Sequence, residues 1–139
     1  MRSLYRYLSM AVAAAVLVQA SAIAFGVFGI AHDVDAGTVV DKNYEENFGL
    51  TLHAIMGTTV IPLLALALLI VGILVRSVDG ALRWASVIFG LVLLQVVLAM
   101  VSFGAPVVGL LHGANAILIL LSSVKAVSVM PRQRAQLVA

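Results

Sequence analysis

The chain of 139 residues has no cysteine, three prolines, 6% aromatic residues and only 10% charged residues. Without cysteine there can be no disulfide, no thiolate metal site and no cysteine nucleophile. So little charge excludes an ordinary water-facing domain, which could not solvate the remaining apolar surface. No carboxylate falls within the long apolar runs, which removes the groups that proton-coupled export or an intramembrane proton relay would use. Basic residues interleaved with aromatics are also missing, so nucleic acid is not an expected partner. Ser21, Ser86, Ser102, Ser122 and Ser123 show no base arrangement for nucleophilic catalysis, and Gly80, Gly90 and Gly104 form no phosphate-binding pattern.

What the chain does have is hydrocarbon. It is 63% hydrophobic, with a mean hydropathy of +1.18. Four apolar runs, at about 8–30, 49–75, 82–104 and 106–129, each meet the roughly 20 residues that a membrane-crossing helix requires. Helices are expected because a lipid-exposed segment must satisfy its backbone internally, and short alternating barrel strands are absent. The expected architecture is all-α: one integral membrane four-helix bundle over 1–139, with up-down topology. Arg2, Arg6 and the small-residue stretch Ala20-Ser21-Ala22 resemble parts of a signal peptide. The apolar run continues to Ile30, however, too far for such a segment, so the first run reads as a true span.

Orientation follows from the basic residues. Arg2 and Arg6 precede the first span, Arg76 and Arg83 flank the second connection, and Arg132 and Arg134 follow the fourth span, with Lys125 able to snorkel toward that side. Both termini are therefore expected on the cytoplasmic face of a bacterial inner membrane, in contact with lipid. The 32–47 loop then lies outside, carrying Asp33, Asp35, Asp41, Glu45 and Glu46 against Lys42, most simply as a solvated acidic face. Tyr5, Tyr7, Tyr44 and Trp84 read as interfacial anchors. Asp79-Gly80 and Gly104-Ala105-Pro106 mark turns, Pro131 stops the last span, and Pro62, inside the second, should kink it.

A loose internal repeat runs through the chain. Gln19, Phe25-Gly26, a turn and Leu52-His53 recur in the same order as Gln95, Phe103-Gly104, a turn and Leu111-His112. Parallel repeats of this kind imply a pseudo-two-fold axis along the membrane normal, which would set His53 opposite His112. At 1.5 Å per residue, each imidazole lies roughly 6 to 9 Å below the outer end of its helix, so the two share a level.

An imidazole in hydrocarbon needs a partner and marks a candidate site. Two at one level, with no carboxylate or thiolate beside them, suit bis-histidine heme iron. Met56 would contribute to the apolar wall of that site. Gly57 and Ala116, one turn deeper on the same faces, and Gly109, one turn above His112, would leave flat surfaces for a macrocycle. Asn115, Thr51 or a carbonyl of the preceding turn would accept the second imidazole hydrogen bond. Lys42 and His32 are the cations available to heme propionates. Two other readings stay open. Zinc could be held by His32, His53 and His112, or the histidines could simply bond carbonyls on neighbouring helices and glue the bundle together. Gln19 and Gln95, at mid-membrane, are expected to make interhelical hydrogen bonds; a place beneath a cofactor or beside a quinone is the sharper alternative.

Four spans with a histidine at the outer end of the second and fourth resemble one half of heme A synthase. The stretch Leu111-His112-Gly113-Ala114-Asn115-Ala116 is also similar to the start of span four in a family of small bacterial four-helix membrane proteins. These resemblances imply that His53 and His112 are axial heme ligands. The synthase pattern has a glutamate one turn before a histidine of helix two and an arginine directly after it. Here Gly49 and Leu50 precede His53 and Ala54 follows, so the resemblance implies the heme-holding scaffold and not the synthase reaction. The expected function is a membrane protein binding heme b for electron transfer or heme handling. The competing expectation is a cofactor-free accessory subunit of a larger membrane complex or homo-oligomer.

Overall fold

A computed structural model describes residues 1–130; Pro131, Arg132 and Arg134 lie outside the described residues. The first helix, α1, runs Arg2–Asp35. The second span is three consecutive segments: α2 (Phe48–Ile55), a π-helical turn (Met56–Val60) and α3 (Ile61–Leu74). Helix α4 covers Ala81–Gly104, and a 3₁₀ turn at Pro106–Val108 leads into α5 (Gly109–Val129). All four spans are long and apolar enough to cross a membrane. They pack up and down, so the 36–47 loop and Ala105 share one end, here the loop end. Met1, the 75–80 turn and Met130 share the other, the terminal end.

Helix α1 begins at Arg2 and not near residue 8, because Tyr5 belongs to the packed interior. Its ring is fully buried and its hydroxyl donates to the Ala81 carbonyl oxygen at 2.8 Å, tying the start of α1 to the start of α4. Tyr5 is thus not an interfacial anchor. Gly80, with φ of 77°, supplies the left-handed turn from which α4 departs. At the loop end Asn47 has two roles. Its Oδ1 accepts the Gly49 and Leu50 amides at 3.0 and 3.2 Å, capping α2, and its Nδ2 donates to the Gly26 carbonyl at 2.9 Å.

That crosslink is possible because α1 and α2 touch backbone to backbone. A Cβ on Gly49 would lie 2.5 Å from the Gly26 nitrogen and 2.6 Å from the Ala22 oxygen. Close approach through small residues is the usual way membrane helices gain packing and polar contacts.

Pro62 distorts its helix as expected, but as a π turn. Its ring displaces the Thr58 carbonyl and it offers no N–H, so the turn before it widens; the Ile61 amide bonds back five residues to the Met56 carbonyl. Thr58 Oγ1 donates to the Ala54 carbonyl at 2.7 Å in the same stretch.

The apolar core occupies the terminal half. Val12, Ala65, Leu68, Ala81, Ala85, Ile88, Val92 and Ile119 are all nearly or fully inaccessible. On α4 the inward stripe Ala81, Ala85, Ile88, Val92 is buried, whereas its continuation through Gln95, Leu98, Ala99 and Ser102 is only half-buried. In the loop half α2 packs on α1 and has no extensive contact with α4 or α5. On the loop side of the core α2 and the α4–α5 pair are thus less closely packed, and the space between them is here the cleft.

Candidate functional site

The two histidines come together in that cleft. Their ring centroids are 6.4 Å apart and the ring planes are inclined by 60°. Each is fastened to the preceding span by a reciprocal pair of hydrogen bonds. Gln19 Nε2 donates to the His53 carbonyl at 2.8 Å, and His53 Nδ1 lies 3.2 Å from the Gln19 carbonyl. In the other half Gln95 Nε2 donates to the His112 carbonyl at 3.1 Å, and His112 Nδ1 lies 3.2 Å from the Gln95 carbonyl.

These bonds assign the tautomer. A carbonyl oxygen only accepts, so each Nδ1 must carry a proton, and in the neutral ring the lone pair is left on Nε2. Oriented by a second hydrogen bond and presenting an unprotonated nitrogen, each imidazole has the form that a metal ligand requires. The partners differ from those expected. Neither Asn115, Thr51 nor a carbonyl of the preceding turn takes the Nδ1 bond; the acceptors are the backbone oxygens of Gln19 and Gln95. Those glutamines make interhelical hydrogen bonds, as the sequence suggests, and they make them to the histidines.

The halves are not equivalent. Asn115, which is buried, donates from Nδ2 to Gln95 Oε1 at 2.6 Å and to the Leu91 carbonyl at 2.9 Å. So held, the Gln95 amide nitrogen also lies 3.1 Å from His112 Nε2, where its N–H can only donate to the ring lone pair. In the first half the residue three after the histidine is Met56, which packs against the terminal-half core and offers no donor. Gln19 Oε1 is accordingly buried without a partner, and His53 Nε2 has no hydrogen bond among the described residues.

The small residues divide in the same way. Gly57 is needed by the protein itself, since a Cβ there would lie 2.5 Å from Gln19 Nε2. It makes room for the glutamine amide. Gly109 and Gly113 are open: the nearest atom to a Cβ on Gly109 would be Ser102 Oγ at 3.9 Å, and Gly113 would meet nothing within 4 Å. Ala116 is half-buried one turn below His112.

His32 is exposed near the end of α1 and does not join the pair. Among the described residues no group of three or more His, Cys, Asp or Glu side chains is placed to hold a metal ion, so the three-histidine zinc arrangement does not form. A separate, shallow apolar groove of about 400 Å³ runs along the α1–α2 seam beside Val18, Phe25, Phe48 and Leu52; it contains neither histidine. In the 36–47 loop the Tyr44 hydroxyl donates to Asp33 Oδ2 at 2.7 Å, and this bond to a carboxylate, more than partial burial, raises the phenol above its ordinary value of 10.0.

Sequence reasoning paired the histidines and noticed the glutamines but did not join them. The signal was the repeat: a glutamine that recurs in fixed order with a histidine on the next span is a candidate for bonding to it. Comparison with known proteins finds no matching family model, no matching curated protein and no matching solved structure; the structure is that of a small four-helix bundle with four candidate membrane spans, not of a heme A synthase relative in particular.

Proposed function

We propose that this protein holds a b-type heme between His53 and His112 in the bacterial inner membrane, for electron transfer or heme handling. One observation carries the reading: two imidazoles, each with Nδ1 on a backbone carbonyl, lie with their centroids 6.4 Å apart. Metal–imidazole bonds of about 2.0 Å would set the centroids of two axial rings roughly 6 Å apart, whatever the angle between their planes. Gly109 and Ala116, one turn above and below His112, favour a flat ligand there. Bound iron would supply one-electron chemistry. The chain's own part is to fix both ring tautomers through Gln19 and Gln95 and to keep water out with the apolar wall that includes Met56.

The recurring glutamine–histidine pairing favours two halves related by a pseudo-two-fold axis along the membrane normal. The arginine distribution favours both termini on the cytoplasmic side, with the cleft near the outer surface. The absence of a glutamate and an arginine around His53 argues against heme A synthase activity.

The bond from Gln95 to His112 Nε2 favours a second reading, in which the histidines are structural and the chain is a cofactor-free subunit packed against a larger membrane complex. A visible spectrum of the detergent-purified protein distinguishes the two. Heme binding predicts a Soret band and a reduced α band, both diminished in His53→Ala and His112→Ala. A colourless bundle that takes up no added heme, while remaining helical and monodisperse, supports the structural reading.

A further inference from the structure

Building on the heme reading above, we infer that the two imidazoles are unequal ligands: His53 is the permanent one and His112 the displaceable one. The site would then accept a small neutral molecule of the carbon monoxide class on its His112 side. The asymmetry lies in one latch. Asn115 fixes the Gln95 amide, and Gln95 Nε2 lies 3.1 Å from the lone pair of His112 Nε2. For His112 to bind a metal, that lone pair must give up its donor. His53 has no such competitor: Met56 stands where Asn115 stands in the other half, and its Nε2 has no hydrogen bond among the described residues. Both Nδ1 bonds go to backbone oxygens, so they survive any glutamine substitution. The rings share their Nδ1 contacts and differ in what holds Nε2.

Binding of the exogenous molecule is a dative step that replaces one nitrogen donor on ferrous iron with one carbon donor. No electron is transferred, and His112 returns to the Gln95 amide.

The test loads the full chain with heme in detergent, reduces it and titrates it with carbon monoxide. Wild type should bind the gas. His112→Ala should keep a five-coordinate, high-spin heme, whereas His53→Ala should lose most of it. Gln95→Ala should favour the six-coordinate low-spin form and weaken carbon monoxide binding roughly threefold to tenfold, the worth of one hydrogen bond. Should Gln95→Ala fold poorly, Asn115→Met loosens the same latch. The double change Met56→Asn with Asn115→Met moves the latch across the cleft and should exchange the behaviour of the two histidine variants. Equal heme loss in both single histidine variants, or no gas binding by heme-loaded wild type, overturns the inequality alone. No Soret band in wild type overturns both the inequality and the heme reading.

Discussion

Gln19 and His53 hold each other twice, side chain to backbone in both directions, and no residue of the loop intervenes. The imidazole's angle is thereby set by the rigid seam of α1 and α2, which is what a ligand needs if its nitrogen is to stay aimed. Gln19→Leu should leave the ring's Nδ1 bond, made by the backbone, and leave the His53 carbonyl with the Met56 amide as its partner. A loss of about 1 kcal/mol is expected from one interhelical bond, measured by denaturant titration in detergent.

The unpaired Gln19 Oε1 offers the opposite experiment. Met56→Asn places an amide donor three residues after His53, as Asn115 follows His112, on the span that already bonds Gln19, whose Oε1 has no partner. The expected gain is about 0.5 to 1.5 kcal/mol if the new amide reaches Oε1, less the apolar contact that Met56 gives up. Thermal unfolding of the single variant beside wild type reads the balance.

Gly49 is the least replaceable residue of the α1–α2 seam. Any Cβ there meets the Gly26 nitrogen and the Ala22 oxygen, both backbone atoms that cannot swing aside. Gly49→Val should separate the helices, break the Asn47 bridge to Gly26 and move His53 with α2. Destabilisation of about 1 to 3 kcal/mol is expected from such overpacking, together with faster proteolysis of the 36–47 loop. Gly113→Ala, at an open position, serves as the control and should be nearly neutral.

Most of the architecture was readable from periodicity and composition, because hydrocarbon permits so few backbone solutions. Helix α1 extends ahead of its apolar run, where Tyr5 looks like an interfacial aromatic but is held inside by the Ala81 carbonyl. The histidine pair was legible because an imidazole in an apolar run stands out against its neighbours. What stayed hidden was partner choice. Asn115, one turn from His112, is one of three acceptors that the sequence offers, yet it donates to Gln95, because α4 brings a longer side chain into the same gap. The place of Gly57 against Gln19 stayed hidden for a related reason: a glycine beside a cleft and a glycine beneath a glutamine look alike in one dimension.

The Tyr44–Asp33 bond gives the loop a dependence on alkali. The phenol's proton is held more tightly in the folded chain than in the unfolded one, mainly by the Asp33 carboxylate. Its contribution to folding is therefore complete below the unfolded value near 10 and disappears as pH rises through the higher folded value. Phenolate absorbance should titrate later for Tyr44 than for a free tyrosine, and Asp33→Asn should bring it back toward the ordinary value. A Tyr44 that titrates normally in wild type would show that the contact does not persist in solution.

The π turn at Met56–Val60 acts as an angular offset between the two parts of the second span. A π turn amounts to one surplus residue in an α-helix, so everything on its loop side is swung by about 100° relative to a continuous helix. His53 lies on that rotated part while Ala65 and Leu68 lie on the other, buried in the core. Relaxing the turn to regular α-helix with its residue count unchanged would carry the imidazole about a quarter-turn around the axis, away from its counterpart, whereas removing one residue at the same time would leave its aim where it is. The aim of one side chain is thus set by the turn that a proline nine positions on widens.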